Sequence, residues 1–428
     1  MSVLALFASF AIFLILQVPI GISIGLAIIC YMVLFPDVTS LRYFSTSMFS
    51  SVDTFPLMAV PFFILAGAIM KGGGLSRRIV EFAKTLVGGT PGGLAIVTII
   101  ACAFFGAVSG SSPATVAAIG SIMIPYMVDE GYDLKFATAV TTCAGILGAI
   151  IPPSIPMVIY GVAAHASVGK MFIGGFGPGI LCMCLLILTV RYIAKKHGWQ
   201  GSGERFSFRI AWASFREATW ALLVPIIILG GIYGGIFTPT ESAAVAVVYG
   251  IFVGIYVYKE LQWGQLHSHL VSSALMTGAV LIIASTATML GRLMTIEQIP
   301  DMIATGLMAV SNNKYVILML LNVFLFFVGM VMDTLGAILI LAPLLVPLVI
   351  KLGLDPVHFG MVMVLNLVIG FVTPPVGINL FVACALTKVD FLQLSKACVP
   401  FICALLVAQI LVTLIPAITL WLPTMLGM

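Results

Sequence analysis

Charge is scarce in this chain: Asp, Glu, Lys and Arg make up 8% of its residues, while 61% are hydrophobic. So little polar surface cannot cover a water-facing fold, which makes the chain an integral membrane protein. The polar/apolar alternation of an outer-membrane strand is also missing, leaving a helical bundle rather than a barrel. No Gly-x-x-x-x-Gly-Lys-Ser/Thr loop occurs, since Gly169-Lys170 is followed by Met171 and preceded by Ala164 where the first glycine belongs. No ATP is expected as direct driver, and an ion gradient is the natural substitute. The eight cysteines lie in apolar runs without CxxC spacing, so they read as small buried hydrophobes, not as disulfides or transition-metal ligands. Residues 1–36 lack the basic flank and cleavage site of a signal peptide and are expected to stay in the membrane as structure.

The few charges that exist are concentrated. Arg191, Lys195, Lys196, Arg205, Arg209 and Arg216 share one polar segment, which the positive-inside rule assigns to the cytoplasm. Basic residues beside membrane segments are topology signals, and nothing points to nucleic acid. Between these charges run apolar stretches able to cross about 30 Å of hydrocarbon. The run 85–128 is uncharged over 44 positions, about 66 Å as one helix, so it must fold back. Ser109-Gly110-Ser111-Ser112-Pro113 is the obvious turn of a hairpin over about 91–128, with Ser112 as cap and Pro113 in the first turn of the returning helix.

The same pattern occurs twice. Adding 222 carries Ser111 to Asp333, Ser112 to Thr334, Pro152 to Pro374 and Pro153 to Pro375, and also Gly131 to Gly353, Gly148 to Gly370 and Pro178 to Pro400. Matches of Gly, Pro and Asp at one spacing imply a duplicated unit. The first repeat is 1–190, with a hairpin and a broken helix over about 134–165. A polar connector spans 191–217. The second repeat is 218–428, with a hairpin over about 315–350 and a broken helix over about 356–388. Mixed polar segments at 38–54 and 259–272 are too polar to cross and are expected to lie along the interface, either as ordinary loops or as arms linking a fixed scaffold to a moving domain. An odd number of crossings per half would make the repeats inverted, the commoner arrangement when each half carries broken helices.

Prolines at 152, 153, 374 and 375 remove backbone donors and free the carbonyls one turn earlier. Freed carbonyls with Ser or Thr oxygens suit Na⁺, and half-helix N-termini suit an anion. Each half can thus build one cation site between its hairpin tip and its Pro-Pro break. Asp333 is the most membrane-embedded acid and a site candidate for that reason. Arg292 could hold a substrate carboxylate or snorkel to the headgroups. Thr238-Pro239-Thr240-Glu241 reads as a capping box with a structural role. His165, beside the first broken helix, reads as an interface residue.

Phe104-Phe105-Gly106-Ala107-Val108-Ser109-Gly110-Ser111-Ser112-Pro113-Ala114-Thr115, Gly148-Ala149-Ile150-Ile151-Pro152-Pro153-Ser154, Thr238-Pro239-Thr240-Glu241 and Phe371-Val372-Thr373-Pro374-Pro375-Val376-Gly377-Ile378-Asn379 resemble the large membrane subunit of TRAP transporters, the tripartite ATP-independent periplasmic carriers. The resemblance covers essentially the whole chain. It is closest to sialic acid members, with C4-dicarboxylate members next. It implies an all-α polytopic protein of the bacterial inner membrane that imports an organic acid with two or more Na⁺ by an elevator movement. It also implies two partners, a small four-helix membrane subunit and a periplasmic substrate-binding protein. With no small-subunit segment ahead of residue 1, that partner is expected as a separate chain. One family cation site maps onto Ser109, Gly110, Ser111 and Ser112 with Gly148, Ile151, Pro152 and Pro153. Another maps onto Met330, Val331, Asp333 and Thr334 with Thr373, Pro374, Gly377 and Asn379. Substrate would sit between them, near Ser112 and Asp333, with Arg292 as an addition. Two other readings stay open: a standalone Na⁺/dicarboxylate symporter or ion antiporter, and an intramembrane hydrolase with Ser109 as nucleophile, for which His165 is a poor base.

Overall fold

The computed structural model describes residues 2–36, 40–87, 90–197, 199, 207–311 and 313–428. Among the described residues every regular element is helical, and eight helices are long and apolar enough to cross a membrane. The first half holds α1 Ser2–Ile15, α2 Ile20–Leu34, α3 Leu41–Val52, α4 Ala59–Gly72, α5 Leu75–Val87, α6 Gly93–Ser109, α7 Ser112–Asp129, α8 Leu134–Ala144, α9 Leu147–Ile150, α10 Ile155–Ala163 and α11 Val168–His197. The second holds α12 Phe208–Tyr233, α13 Pro239–Phe252, α14 Trp263–Ile296, α15 Ile299–Val310, α16 Lys314–Val331, α17 Thr334–Lys351, α18 Pro356–Gly370, α19 Ile378–Thr387, α20 Phe391–Leu414 and α21 Ala417–Met425.

The boundaries repeat with the sequence. The offset of 222 carries the last residue of α6 to that of α16, both ends of α7 to those of α17, and the start of α8 to that of α18. Chemistry repeats at these ends too. Asp133 caps α8 through the Phe136 amide at 3.1 Å, and Asp355 caps α18 through the Val357 amide at 2.7 Å, each satisfying donors that helix starts leave open. Both Pro-Pro bonds, 152–153 and 374–375, are cis. Thr238 and Glu241 form a reciprocal capping box at the start of α13.

The halves differ most clearly around α3 and α4. In the first, α3 ends at Asp53 and a short turn containing Pro56 separates it from α4. The second half has Gly278 at the position 222 residues on and no proline between Trp263 and Ile296, so α14 runs unbroken for 34 residues, about 51 Å. Residues 263–272, grouped above with a second arm, are therefore the opening turns of that helix and not a separate segment.

Packing between the halves is reciprocal. α4 lies against α13 as α14 lies against α2, and α7 lies against α19 as α10 lies against α17. Each hairpin's returning arm therefore rests on the other half's broken helix. Where hairpin and broken helix cross, only glycine fits. A Cβ on Gly106 would come 2.6 Å from the Gly148 Cα, and one on Gly370 would come 2.1 Å from the Gly329 carbonyl carbon. In the second half alone, an amide cluster ties α16, α18 and α20 together: the Asn322 Oδ1 accepts from Asn366 at 2.7 Å and Gln409 at 2.5 Å, and its Nδ2 reaches Thr413 at 3.1 Å. The matching residues of the first half are Ile100, Ala144 and Ile187.

A valine at 370 must displace backbone, because the clash is with Gly329 itself. Gly370→Val is expected to cost at least about 1–3 kcal/mol, seen as a lower unfolding temperature in detergent. Gly278→Ala, in open space, leaves that temperature unchanged.

Candidate functional site

The site is built where the two hairpin tips approach each other. At the first tip, Gly110 closes α6 with φ 62°, a left-handed conformation that glycine adopts without strain. Its carbonyl accepts from the Ile155 amide at 3.1 Å, fastening the tip to the first broken helix. The second tip is fastened in the same way, the Met330 carbonyl accepting from the Val376 amide at 3.2 Å. Backbone groups at membrane depth need such partners, because lipid supplies none.

The cap of α7 falls one residue earlier than the sequence suggested. Ser111 is the N-cap and Ser112 the first helical residue, in register with Asp333 and Thr334 at the start of α17. The Asp333 carboxylate accepts from the Leu335 amide at 3.0 Å, while the Ser111 side chain makes no cap bond. Ser112 is thereby free to bind elsewhere. Its buried Oγ accepts from the Asn379 Nδ2 at 2.8 Å, and the same amide donates to the Thr142 carbonyl at 3.2 Å. Asn379, predicted as part of the second half's site, therefore reaches into the first half's tip.

A cavity of about 630 Å³ lies between the tips. Ser109, Gly110, Ser111 and Ser112 line it from one side, and Asp333 and Thr334 from the other. The remaining predicted residues of the first cation site stand behind the tip. A Cβ on Gly148 would come 2.2 Å from the Thr115 Oγ1 and 2.8 Å from the Ser111 carbonyl oxygen, and a Cβ on Gly110 would come 3.0 Å from the Pro153 carbonyl oxygen. Pro152 and Pro153 are buried, and Ile151 packs on Gly179. Thr115, not among the predicted site residues, belongs to this cluster: its hydroxyl lies 3.1 Å from the Ser109 Oγ and donates to the Ser111 carbonyl at 2.8 Å.

In the second half Thr373 bonds within its own helix, donating to the Ile369 carbonyl at 2.9 Å, and with Pro374 it lines a separate cavity of about 350 Å³. Gly377 opens α19 in a left-handed conformation, and Val331 closes α16. Two oxygens here are buried without a hydrogen-bond partner, Thr334 Oγ1 and Asn379 Oδ1. Arg292 is elsewhere. It donates to the Ser47 Oγ of α3 at 2.9 Å and, with His165, lines another cavity of about 380 Å³. Arg292 is thus not brought to Ser112 and Asp333, nor His165 to Ser109. The basic residue on the 630 Å³ cavity is Lys71 of α4, with Ser272 and Ser273 of α14 beside it. Sequence reasoning passed over Lys71 because a lysine in the last turn of a helix reads as a dipole partner or topology signal.

Paired helical hairpins with their tips on one cavity define a polytopic membrane protein with a site shared between its two halves. A family profile described as Tripartite ATP-independent periplasmic transporter, DctM component, matches residues 7–418, and the chain belongs to that family. It is a multi-pass protein of the bacterial inner membrane. Among similar proteins is the Isethionate TRAP transporter permease protein DctMQ of Oleidesulfovibrio alaskensis, 47% identical over 97% of this chain; the match spans 65% of that relative's length. The C4-dicarboxylate TRAP transporter large permease protein DctM of Rhodobacter capsulatus is 40% identical over the full length of both. The Sialic acid TRAP transporter large permease protein SiaM of Vibrio cholerae is 37% identical over 95% of this chain and 94% of its own. In fold, the chain resembles the Alcanivorax borkumensis YdaH transporter with a TM-score of 0.65 at 15% identity, covering 90% of this chain and 89% of that one.

Ser112 and Asn379 are expected to be energetically coupled. Single Ser112→Ala and Asn379→Ala changes should each destabilise by about 1–3 kcal/mol, and the double mutant should lose less than their sum by about 0.5–3 kcal/mol. Additive unfolding free energies would show that the contact carries nothing.

Proposed function

We propose that this chain is the large membrane-spanning part of a Na⁺-coupled importer of a small organic acid. The solute is handed over by a periplasmic binding protein, and a small four-helix membrane subunit completes the assembly. The observation that carries the reading is two buried, unpartnered oxygens, Thr334 Oγ1 at the second tip, which lines the shared cavity, and Asn379 Oδ1 on the amide that reaches Ser112 of the first tip. A buried hydroxyl or amide oxygen without a partner is costly, and an alkali cation with a preference for hard oxygen ligands relieves it. The first tip offers oxygens of the same kind in the Ser109 hydroxyl, the Ser111 carbonyl and the Thr115 hydroxyl, which bond one another in this structure. Relatives named for a sulfonate, for C4-dicarboxylates and for sialic acid support an organic acid as cargo.

Movement of the tips relative to α4 and α14 would carry the cavity across the membrane in an elevator mechanism. Glycine makes two of the contacts between these parts. Gly67 of α4 lies against the Ser109 backbone, where a Cβ would come 3.2 Å from its carbonyl oxygen, and Gly291 of α14 lies against Pro343 of α17. Such surfaces can slide without unlocking interdigitated side chains.

In proteoliposomes holding chain, small subunit and binding protein, uptake of labelled isethionate, sialic acid or succinate is expected to require an inward Na⁺ gradient. Uptake indifferent to Na⁺ would sink the coupling, and uptake by the chain alone would sink the three-component assembly. Thr334→Val removes one oxygen at nearly constant volume and is expected to raise the Na⁺ concentration for half-maximal uptake about tenfold.

A further inference from the structure

Lys71 is exposed on the cavity, where its ammonium can meet an anionic solute. On α4 the residues Ile64, Gly67, Ala68 and Lys71 line the cavity, a spacing of three, four and seven that places them on one helical face. Gly67 touches the backbone of Ser109, so Lys71 stands one turn along from the first hairpin tip. Among the described residues Lys71 has no ion pair. By contrast, Arg77 and Arg78 both bond Glu260, at 2.9 and 2.8 Å, Lys351 bonds Asp301, and Arg292 bonds Ser47. A second observation lies across the cavity. The Ser273 Oγ is buried and unpartnered, and the adjoining turn of α14 runs beside the end of α4, where a Cβ on Gly72 would come 2.6 Å from the His269 Nε2. An ammonium and a free hydroxyl thus share one end of the cavity.

The other end has the opposite character. Ile283 of α14, eleven residues beyond Ser272 and so about 16 Å along the helix, lies against Gly336, one turn after Asp333. Among the described lining residues Lys71 is the one cation and Asp333 the one anion, and the rest of the lining combines apolar side chains such as Met276, Val280, Leu335 and Phe371 with the hydroxyls of the first tip.

We infer that Lys71 binds the acid group of the solute and that the solute is a monoanion, with one carboxylate or sulfonate at the Lys71 end and an uncharged remainder toward Asp333. A second acid group placed at the far end would face the Asp333 carboxylate, which is unfavourable, and no second cationic side chain is among the described lining residues. This deepens the proposed function and rests on it.

Uptake by the complete reconstituted assembly tests it, with labelled isethionate and sialic acid as monoanionic probes and succinate as the dianionic one. The expected result is Na⁺-dependent uptake of at least one monoanion, with succinate neither carried nor competing. Lys71→Gln should raise the half-saturating concentration of that monoanion about tenfold or more at unchanged Na⁺ dependence, and Lys71→Arg should restore most of the affinity. Succinate uptake matching that of the monoanions, or Lys71→Gln with unaltered affinity, overturns the inference while leaving Na⁺-coupled import standing. A wild-type assembly that carries none of the three acids, or carries them without Na⁺, overturns the underlying reading instead.

Discussion

The structure depends on satisfying backbone at membrane depth. Helix ends expose carbonyls and amides that lipid cannot bind, yet both hairpins and both broken helices end inside apolar runs. The solution is mutual. The Gly110 carbonyl accepts from Ile155, and the Met330 carbonyl accepts from Val376, so each break supplies the donor that its own hairpin tip lacks. The contacts hold only because the chains approach closely, which fixes glycine at 106, 148, 329 and 370. The polar groups that the two tips turn to the cavity are positioned by these joints.

Reciprocal packing then brings the two halves to one place. With α7 on α19 and α10 on α17, the tips are held on opposite sides of the same cavity, and Asn379 crosses between halves to the Ser112 hydroxyl. The halves are not equivalent. Ser111 and Asp333 occupy the same cap position, but only Asp333 uses its side chain as a cap and brings a charge to the cavity. The first tip is neutral and rich in hydroxyls; the second carries the acid and the unpartnered Thr334 hydroxyl. A two-fold scaffold thereby holds an asymmetric site.

Much of this was legible in the sequence because duplication leaves a register. Gly, Pro and Asp punctuate helices through local geometry, and their common offset located hairpin tips, breaks and caps to within a residue. The shift of the α7 cap from Ser112 to Ser111 is of that size. What the sequence hid was set by contacts between distant segments. Asn379 sits in the second half's break pattern, and nothing local says that its amide reaches Ser112. Arg292 and Lys71 are both basic residues near the ends of apolar runs, and only the placement of α3 and α4 sends one to Ser47 and the other to the cavity. The unbroken α14 was hidden for a different reason: its polar opening turns read as an arm, whereas the lack of a proline matching Pro56 lets the helix continue.

The central claim is that both tips open into a single cavity. Ser111→Cys and Asp333→Cys, each introduced into a background without the eight native cysteines, can be probed in oriented vesicles with a membrane-impermeant thiol reagent. The account predicts that both positions react from the same side of the membrane under each ionic condition, and that Na⁺ with a carried acid protects both together. Reaction of the two positions from opposite sides under one condition would contradict it.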